Sequence, residues 1–225
     1  MSNHLPSKII SLLREEFQFE SGNVFGGPEK EALIIVDMQH DFLPGGALEV
    51  AGGDEIIPVI NQLQKEFELV VFTQDWHPAN HLSFYTAHKG KRPFDEIELN
   101  GLSQVLWPDH CVQTSKGAEL TDQMDGSKAS LIIRKGTQPE IDSYSAFFDN
   151  SRKNSTGLAG YLLEKSVRKV VICGLAADYC VFFTGMDALH LGFEAEIRLD
   201  ATRAIDPAGF EKKIKEFEDA GGRAI

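Results

Sequence analysis

The chain has 225 residues, a formal net charge of -12, 42% hydrophobic and 25% charged residues, and three cysteines. This is the composition of a globular α/β-sized domain with ample core. The acidic balance and the lack of a Lys/Arg cluster exclude a phosphate-binding nucleic-acid face and argue against anionic membrane surfaces. No apolar run approaches the roughly 20 residues of a membrane span, so no membrane partner is expected. Cys111, Cys173 and Cys180 form no CxxC pair and fit a reducing, cytoplasmic compartment.

Residues 6–19 read as an amphipathic helix with Pro6 in its first turn and Ile9, Ile10, Leu13 and Phe17 on one face. The run Ile9 to Leu13 is too short for a signal-peptide core. Gly22, Gly26, Gly27 and Pro28 follow as a linker. Residues 1–30 are therefore expected to be a helical extension, and residues 31–225 a single domain. The next run, Ala32-Leu33-Ile34-Ile35-Val36, is continuous and rich in β-branched residues, the mark of a strand buried on both faces, and it stops at Asp37.

A glycine-rich loop follows, then a helix with Asp54 as cap and Ile56, Ile60, Leu63 and Phe67 at helical spacing. Leu69 to Thr73 is a second buried strand, leading into Asp75-Trp76-His77. The segment 78–130 reads as loop with short helical pieces, and a loop of that length in a compact domain is usually functional. Leu131-Ile132-Ile133 is a third strand ending in Arg134-Lys135-Gly136, and residues 155–166 form a helix with Ser155 as cap. Val170 to Cys173 is the fourth strand, with a helix over 178–191 carrying Cys180 in its first turn. Glu194 to Leu199 is a more polar strand. A last helix starts at Asp206-Pro207, buries Phe210, Ile214 and Phe217, and stops at Gly221.

Buried strands alternating with helices predict an α/β fold: an open, mainly parallel sheet with helices on both faces. Right-handed crossovers then line the strand C-termini along one edge. Asp37, Asp75 with His77, Lys135 and Cys180 each follow a different strand and should converge there. A thiol needs a base or a positive environment to attack, and Asp37 and Lys135 supply a base and a cation. At a helix N-terminus the Cys180 thiolate is expected to be stabilised by the dipole. Amides of the tight turn at Ala176 and Ala177 can bind a developing oxyanion.

In Asp75-Trp76-His77, residues i and i+2 of extended backbone point to one face and can share a metal. His81 and His110 are the candidate third ligands. Phe42, Trp107, Tyr144 and Tyr179 are candidate walls for a flat ring. Cys173 and Cys111 read as core.

Together these motifs resemble the nicotinamidases, within the isochorismatase-like cysteine hydrolases. The stretches that carry the resemblance are Ala32 to Phe42, Thr73 to Pro78 and Leu106 to Val112, then Lys135-Gly136, Asp142 to Phe147 and Gly174 to Cys180. They span roughly residues 32–203.

The resemblance implies a Rossmann-like hydrolase fold and an Asp37–Lys135–Cys180 triad. It implies one divalent metal (zinc first, with iron or manganese as alternatives) on Asp75, His77 and His110, and His81 close by as a ligand in some members. It further implies a cis peptide at Leu175–Ala176 that points the amides of Ala176 and Cys180 into an oxyanion hole. Phe42, Trp107 and Tyr144 fall on ring-contacting positions, and Tyr179 on a variable pocket position. Many members have threonine where this chain has Ala177. The expected reaction is hydrolysis of nicotinamide to nicotinate and ammonia in NAD salvage, with pyrazinamide as a further substrate and a homo-oligomeric assembly. The rivals are a related hydrolase acting on another small amide or an enol ether, and an inactive metal-binding scaffold.

Overall fold

The computed structural model describes residues 30–225; the helix expected over 6–19 and the rest of the N-terminal extension lie outside the described residues. The strands are β1 (Lys30–Val36), β2 (Leu69–Asp75), β3 (Glu96–Leu99), β4 (Leu102–Val105), β5 (Ala129–Lys135), β6 (Val167–Gly174), β7 (Glu194–Thr202) and β8 (Arg223–Ala224). The helices are α1 (Ile57–Leu63), α2 (Leu158–Glu164), α3 (Phe182–His190) and α4 (Pro207–Asp219). Six strands form one sheet in the order β5-β2-β1-β6-β7-β8, and every pairing in it is parallel.

Period-two alternation along β1 divides the core. Leu33 and Ile35 face a cluster that includes Ile57, Ile60 and Leu63 of α1. Ala32, Ile34 and Val36 face a second cluster built by Leu158 and Leu162 of α2, Phe182 and Ala188 of α3 and Phe217 of α4. All five β1 side chains are fully buried. Burying each larger aliphatic one contributes about 1.5–3 kcal/mol, which is why an unbroken apolar run marks the centre of the sheet. At the edge the pattern changes. In β5, Ser130, Ile132 and Arg134 are exposed while Ala129, Leu131 and Ile133 are half-buried, so one face of this edge strand is left uncovered.

The order places β2 on one side of β1 and β6 on the other. The chain thus reverses its winding direction between β1 and β6, and a crevice opens there at the strand C-termini. Asp37 directly follows β1, and the turn carrying Cys180 directly follows β6.

Several local expectations are corrected. Asp54 does not cap α1: the N-cap position is Ile56, and Pro58 occupies the first turn. Ser155 does not cap α2, whose N-cap is Gly157 at φ +91°; the Ser155 hydroxyl accepts the Gly157 amide one turn earlier. Asp206 does hold the N-cap position of α4, though its side chain makes no capping bond. β7 runs through Asp200 to Thr202, whose hydroxyl donates to the Gly174 carbonyl at 2.6 Å. The segment 78–130 contains an antiparallel hairpin, β3–β4, turned by Asn100 (φ +53°) and Gly101 (φ +80°). Cys180 does not lie in an α-helical first turn. It sits in a π-type turn, Ala177–Val181, closed by the Val181 amide on the Ala176 carbonyl, and α3 begins only at Phe182. The Leu175–Ala176 peptide is cis, as the resemblance implied.

Candidate functional site

The crevice brings the ends of four strands together around one ammonium group. Lys135, the last residue of β5, extends its Nζ to 2.8 Å from Asp37 Oδ2, 2.5 Å from Asp75 Oδ1 and 3.3 Å from Cys180 Sγ. A fourth contact, to the Ser143 carbonyl at 3.0 Å, holds the lysine from the far side. All four charged or nucleophilic side chains are buried.

Burial decides much of the electrostatics. Desolvation would push the Lys135 ammonium down, but Asp37 and Asp75 outweigh it and hold the group well above its usual value. Desolvation likewise works against the Asp75 carboxylate, yet Lys135 and His77 bring it well below the usual range. At Asp37 the balance tips the other way: burial raises the carboxyl, and Lys135 only partly offsets it. Burial also pushes the Cys180 thiol well above its ordinary value, with Lys135 opposing and the two carboxylates adding to the rise. Burial thus works against a thiolate at rest, in keeping with Asp37 taking the thiol proton during attack. A helix-end dipole is worth at most about 1–2 kcal/mol, too little to offset full burial beside two carboxylates. The proton has to leave as the sulfur attacks, and a nearby carboxylate with a raised pKa suits that exchange.

On the other side of Asp75 stands a group of nitrogen acceptors. Asp75, His77 and His110 each present one ligand atom, all within 4.8 Å of one another. Their closeness follows from local pairing: the His77 amide donates to the Cys111 carbonyl, and the Gln113 amide to the His77 carbonyl, which lays residues 110–113 alongside β2's extension. Trp76 turns outward beneath the Arg134 guanidinium, 3.7 Å from its ring centroid, so the D-x-H alternation holds.

The tautomers show what the cluster fits. His77 Nδ1 donates to the Gly136 carbonyl at 3.0 Å and His110 Nδ1 to the Pro108 carbonyl at 2.8 Å. A carbonyl only accepts, so in the neutral rings both Nε2 atoms carry lone pairs. Those lone pairs meet Asp75 Oδ2 at 3.5 Å and 3.8 Å. Three acceptors converging without a donor fit a cation, and backbone carbonyls fixing the distal nitrogens are the usual support of metal-binding histidines.

His81 differs. Its Nδ1 lies 2.7 Å from the Ser83 hydroxyl and 3.1 Å from the Ser83 amide, and its Nε2 is buried without a partner. It clusters with His77 and Asp142 rather than with Asp75 and His110.

The pocket above these groups is walled by Phe42, Trp107, Tyr144 and Tyr179, the four aromatics singled out in the sequence, with Ala176 and Cys180 at the turn. Trp107 meets Tyr179 edge-on at 4.7 Å and Tyr144 at 6.2 Å between ring centroids. The Ala176 and Cys180 amides belong to the turn that the Arg203 carbonyl ties down through the Ala177 amide.

Sequence reasoning missed other contributors. Leu48, Ile205 and Asp142 also line the pocket. Gln104 of β4 donates to Asp142 Oδ2 at 3.1 Å and to the Tyr144 hydroxyl at 3.2 Å, fastening the hairpin to the pocket wall. The Gln39 carboxamide pairs both backbone groups of Asp75, donating to its carbonyl and accepting from its amide at 2.8 Å each. Thr73 bonds Asp37 twice. Only Gln39 carried a usable signal, its place two residues after Asp37.

A family model described as the isochorismatase domain matches residues 31–225. The nicotinamidase of Acinetobacter baylyi is 54% identical over 178 residues, covering 79% of this chain and 83% of that protein. The structure of the yeast nicotinamidase bound to the inhibitor nicotinaldehyde superposes with a TM-score of 0.83 at 35% identity, covering 87% of this chain and 99% of that one. The pyrazinamidase of Pyrococcus horikoshii in complex with zinc gives a TM-score of 0.72 at 40% identity, covering 87% and 98%.

Proposed function

The chain belongs to the isochorismatase family, and from that premise and its site we propose that it is a nicotinamidase, an amidohydrolase converting nicotinamide and water to nicotinate and ammonia. The observation that carries the reading is the Lys135 ammonium shared by Asp37, Asp75 and Cys180, which joins a nucleophile and base to a metal-type cluster at one pocket. The similarity to nicotinamidases over most of the chain supports the substrate.

Asp37 takes the proton from Cys180 as the sulfur attacks the carboxamide carbon. The amides of Ala176 and Cys180 hold the oxyanion that forms. Asp37 returns the proton to the nitrogen, the C–N bond breaks, and ammonia leaves a thioester on Cys180. Water then attacks the thioester carbonyl, giving its proton to Asp37, and the thiol is restored as nicotinate departs. Lys135 keeps its charge throughout and balances the two carboxylates around it.

Asp75, His77 and His110 would hold a divalent metal, which when bound offers a fixed electrophile for the pyridine nitrogen and so orients the ring. Zinc is the metal we assign, supported by the donor set and by the zinc complex of the Pyrococcus relative. His81, which groups with His77 and Asp142, stands beside that set. Phe42, Trp107 and Tyr144 clamp the ring faces and edges, with Tyr179 at the rim. Pyrazinamide, a diazine carboxamide of the same shape, fits the same pocket chemistry, and a role in NAD salvage follows from the product.

Among the described residues no helix is long and apolar enough to cross a membrane. The three buried free cysteines support a reducing, cytoplasmic setting.

The test is release of ammonia and nicotinate on mixing the purified protein with nicotinamide, before and after chelation and zinc return. Turnover that falls on chelation and recovers with zinc is expected. No ammonia from the zinc-loaded protein overturns the reading, and turnover indifferent to chelation removes the metal from it.

A further inference from the structure

We propose that Thr73 is a positioning residue that determines which oxygen of Asp37 carries the thiol proton, an inference that rests on Asp37 being the acid–base group. Thr73 lies within β2, fully buried, and in the sequence reads only as the end of an apolar run. Its hydroxyl oxygen accepts the Asp37 backbone amide at 3.1 Å, and its proton is donated to Asp37 Oδ1 at 2.6 Å. One hydroxyl therefore grips Asp37 by main chain and side chain together. The grip falls where it is needed, because Asp37 sits at φ +47°, in the left-handed region that a non-glycine residue adopts only when held.

The consequence for the chemistry follows from counting protons. A threonine hydroxyl has one, and it is committed to Oδ1. That bond fixes the rotation of the carboxylate, with Oδ1 turned to Thr73. The other oxygen, Oδ2, is paired with the Lys135 ammonium at 2.8 Å. Thr73 on one oxygen and Lys135 on the other thus hold the carboxylate in a single orientation, and a carboxylate oxygen of Asp37 lies within 4.8 Å of Cys180 Sγ. In the attack step the S–H bond breaks, an Oδ2–H bond forms, and the sulfur electron pair makes the new C–S bond. Without the Thr73 hydroxyl, the carboxylate is free to turn and the proton has two competing acceptors.

Two substitutions separate the hydroxyl from the shape. Thr73→Val keeps the branched form and loses the hydroxyl, whereas Thr73→Ser keeps the hydroxyl and loses a methyl. For Thr73→Val, kcat is expected to fall about 10- to 100-fold, the range for losing a hydrogen bond to a charged group, with KM within about 3-fold. Thr73→Ser should retain kcat within about 3-fold, since only a methyl contact is lost. Bound zinc per chain should be unchanged in both. Asp37→Asn is run beside them and should be inactive.

If Asp37→Asn keeps its turnover, the underlying reading of Asp37 fails. If that variant is dead while Thr73→Val matches the parent, or if Thr73→Ser is the poorer of the two, the positioning role is overturned with the triad intact. Should Thr73→Val not fold, Thr73→Ala against Thr73→Ser gives the same ordering, with the hydroxyl again predicted to restore kcat.

Discussion

Gly136 is the residue on which the imidazole cluster can be tested most sharply without touching a candidate ligand. It follows Lys135 at φ +66°, and its carbonyl accepts from His77 Nδ1 at 3.0 Å. A Cβ placed there would stand 2.4 Å from His77 Cε1 and 2.6 Å from its Nδ1. Gly136→Ala therefore incurs two costs: about 1–2 kcal/mol for a side chain in left-handed backbone, and about 1–3 kcal/mol for overpacking against a ring that cannot retreat. Relief requires the imidazole to move by about 1 Å to reach ordinary contact distance, which turns Nε2 away from Asp75. The expected result is a loss of about 2–5 kcal/mol in urea unfolding of the metal-free protein. Zinc affinity, measured by competition with a chelating dye, should drop about 10- to 100-fold, the usual effect of losing a ligand's outer support. Gly160→Ala is the control: a Cβ there meets nothing within 4 Å inside α2, and the change should stabilise by about 0.5–1 kcal/mol. A Gly136→Ala protein with parental stability and zinc affinity would refute the argument that the Gly136 carbonyl sets the His77 ring.

Two further outcomes concern buried charge. Lys135→Met leaves Asp37 and Asp75 facing each other without a cation, and should cost about 3–5 kcal/mol in urea unfolding at neutral pH, less in acid where a carboxyl takes a proton; equal stability with the parent would contradict the shared-ammonium arrangement. At His81, burial first and the His77 charge second lower the imidazole from 6.5 to about 4. The unfolded chain then binds the extra proton between those values, so stability is lost as pH falls through that window. At about pH 5 the loss is about 2 kcal/mol relative to about pH 7.5. Urea unfolding of metal-free parent and His81→Phe at both pH values checks this, and an undiminished pH slope in the variant would show that His81 is not the group responsible.

The sheet was legible because burial on both faces writes itself as unbroken apolar runs, and the residues ending those runs inherit the crevice. That is how Asp37, Asp75, Lys135 and Cys180 could be gathered from sequence, and the run Leu131-Ile132-Ile133 marked β5 although Ile132 is exposed there. The β3–β4 hairpin had its signal in plain sight, Asn100-Gly101 between the alternating Ile97 and Leu99 and the paired Leu102. It was overlooked because each arm is only four residues long.

What sequence could not supply was long-range support. Thr73 reaches Asp37 across 36 positions, and Gln104 reaches Tyr144 across 40, with no local pattern to announce either. The π-type turn around Cys180 was hidden for a related reason: a turn before a helix is visible in sequence, but its hydrogen-bond pattern is not.

The central claim is that Cys180 attacks a carboxamide and carries the acyl group. Its most direct test is rapid-quench intact-mass analysis of the zinc-loaded protein mixed with nicotinamide, followed by peptide mapping. The account predicts a transient mass increase of one nicotinoyl group, mapped to Cys180, labile to hydroxylamine and absent in Cys180→Ala, which should release no ammonia. Ammonia release by Cys180→Ala at the parental rate, or an acyl group mapped to any other residue, would contradict it.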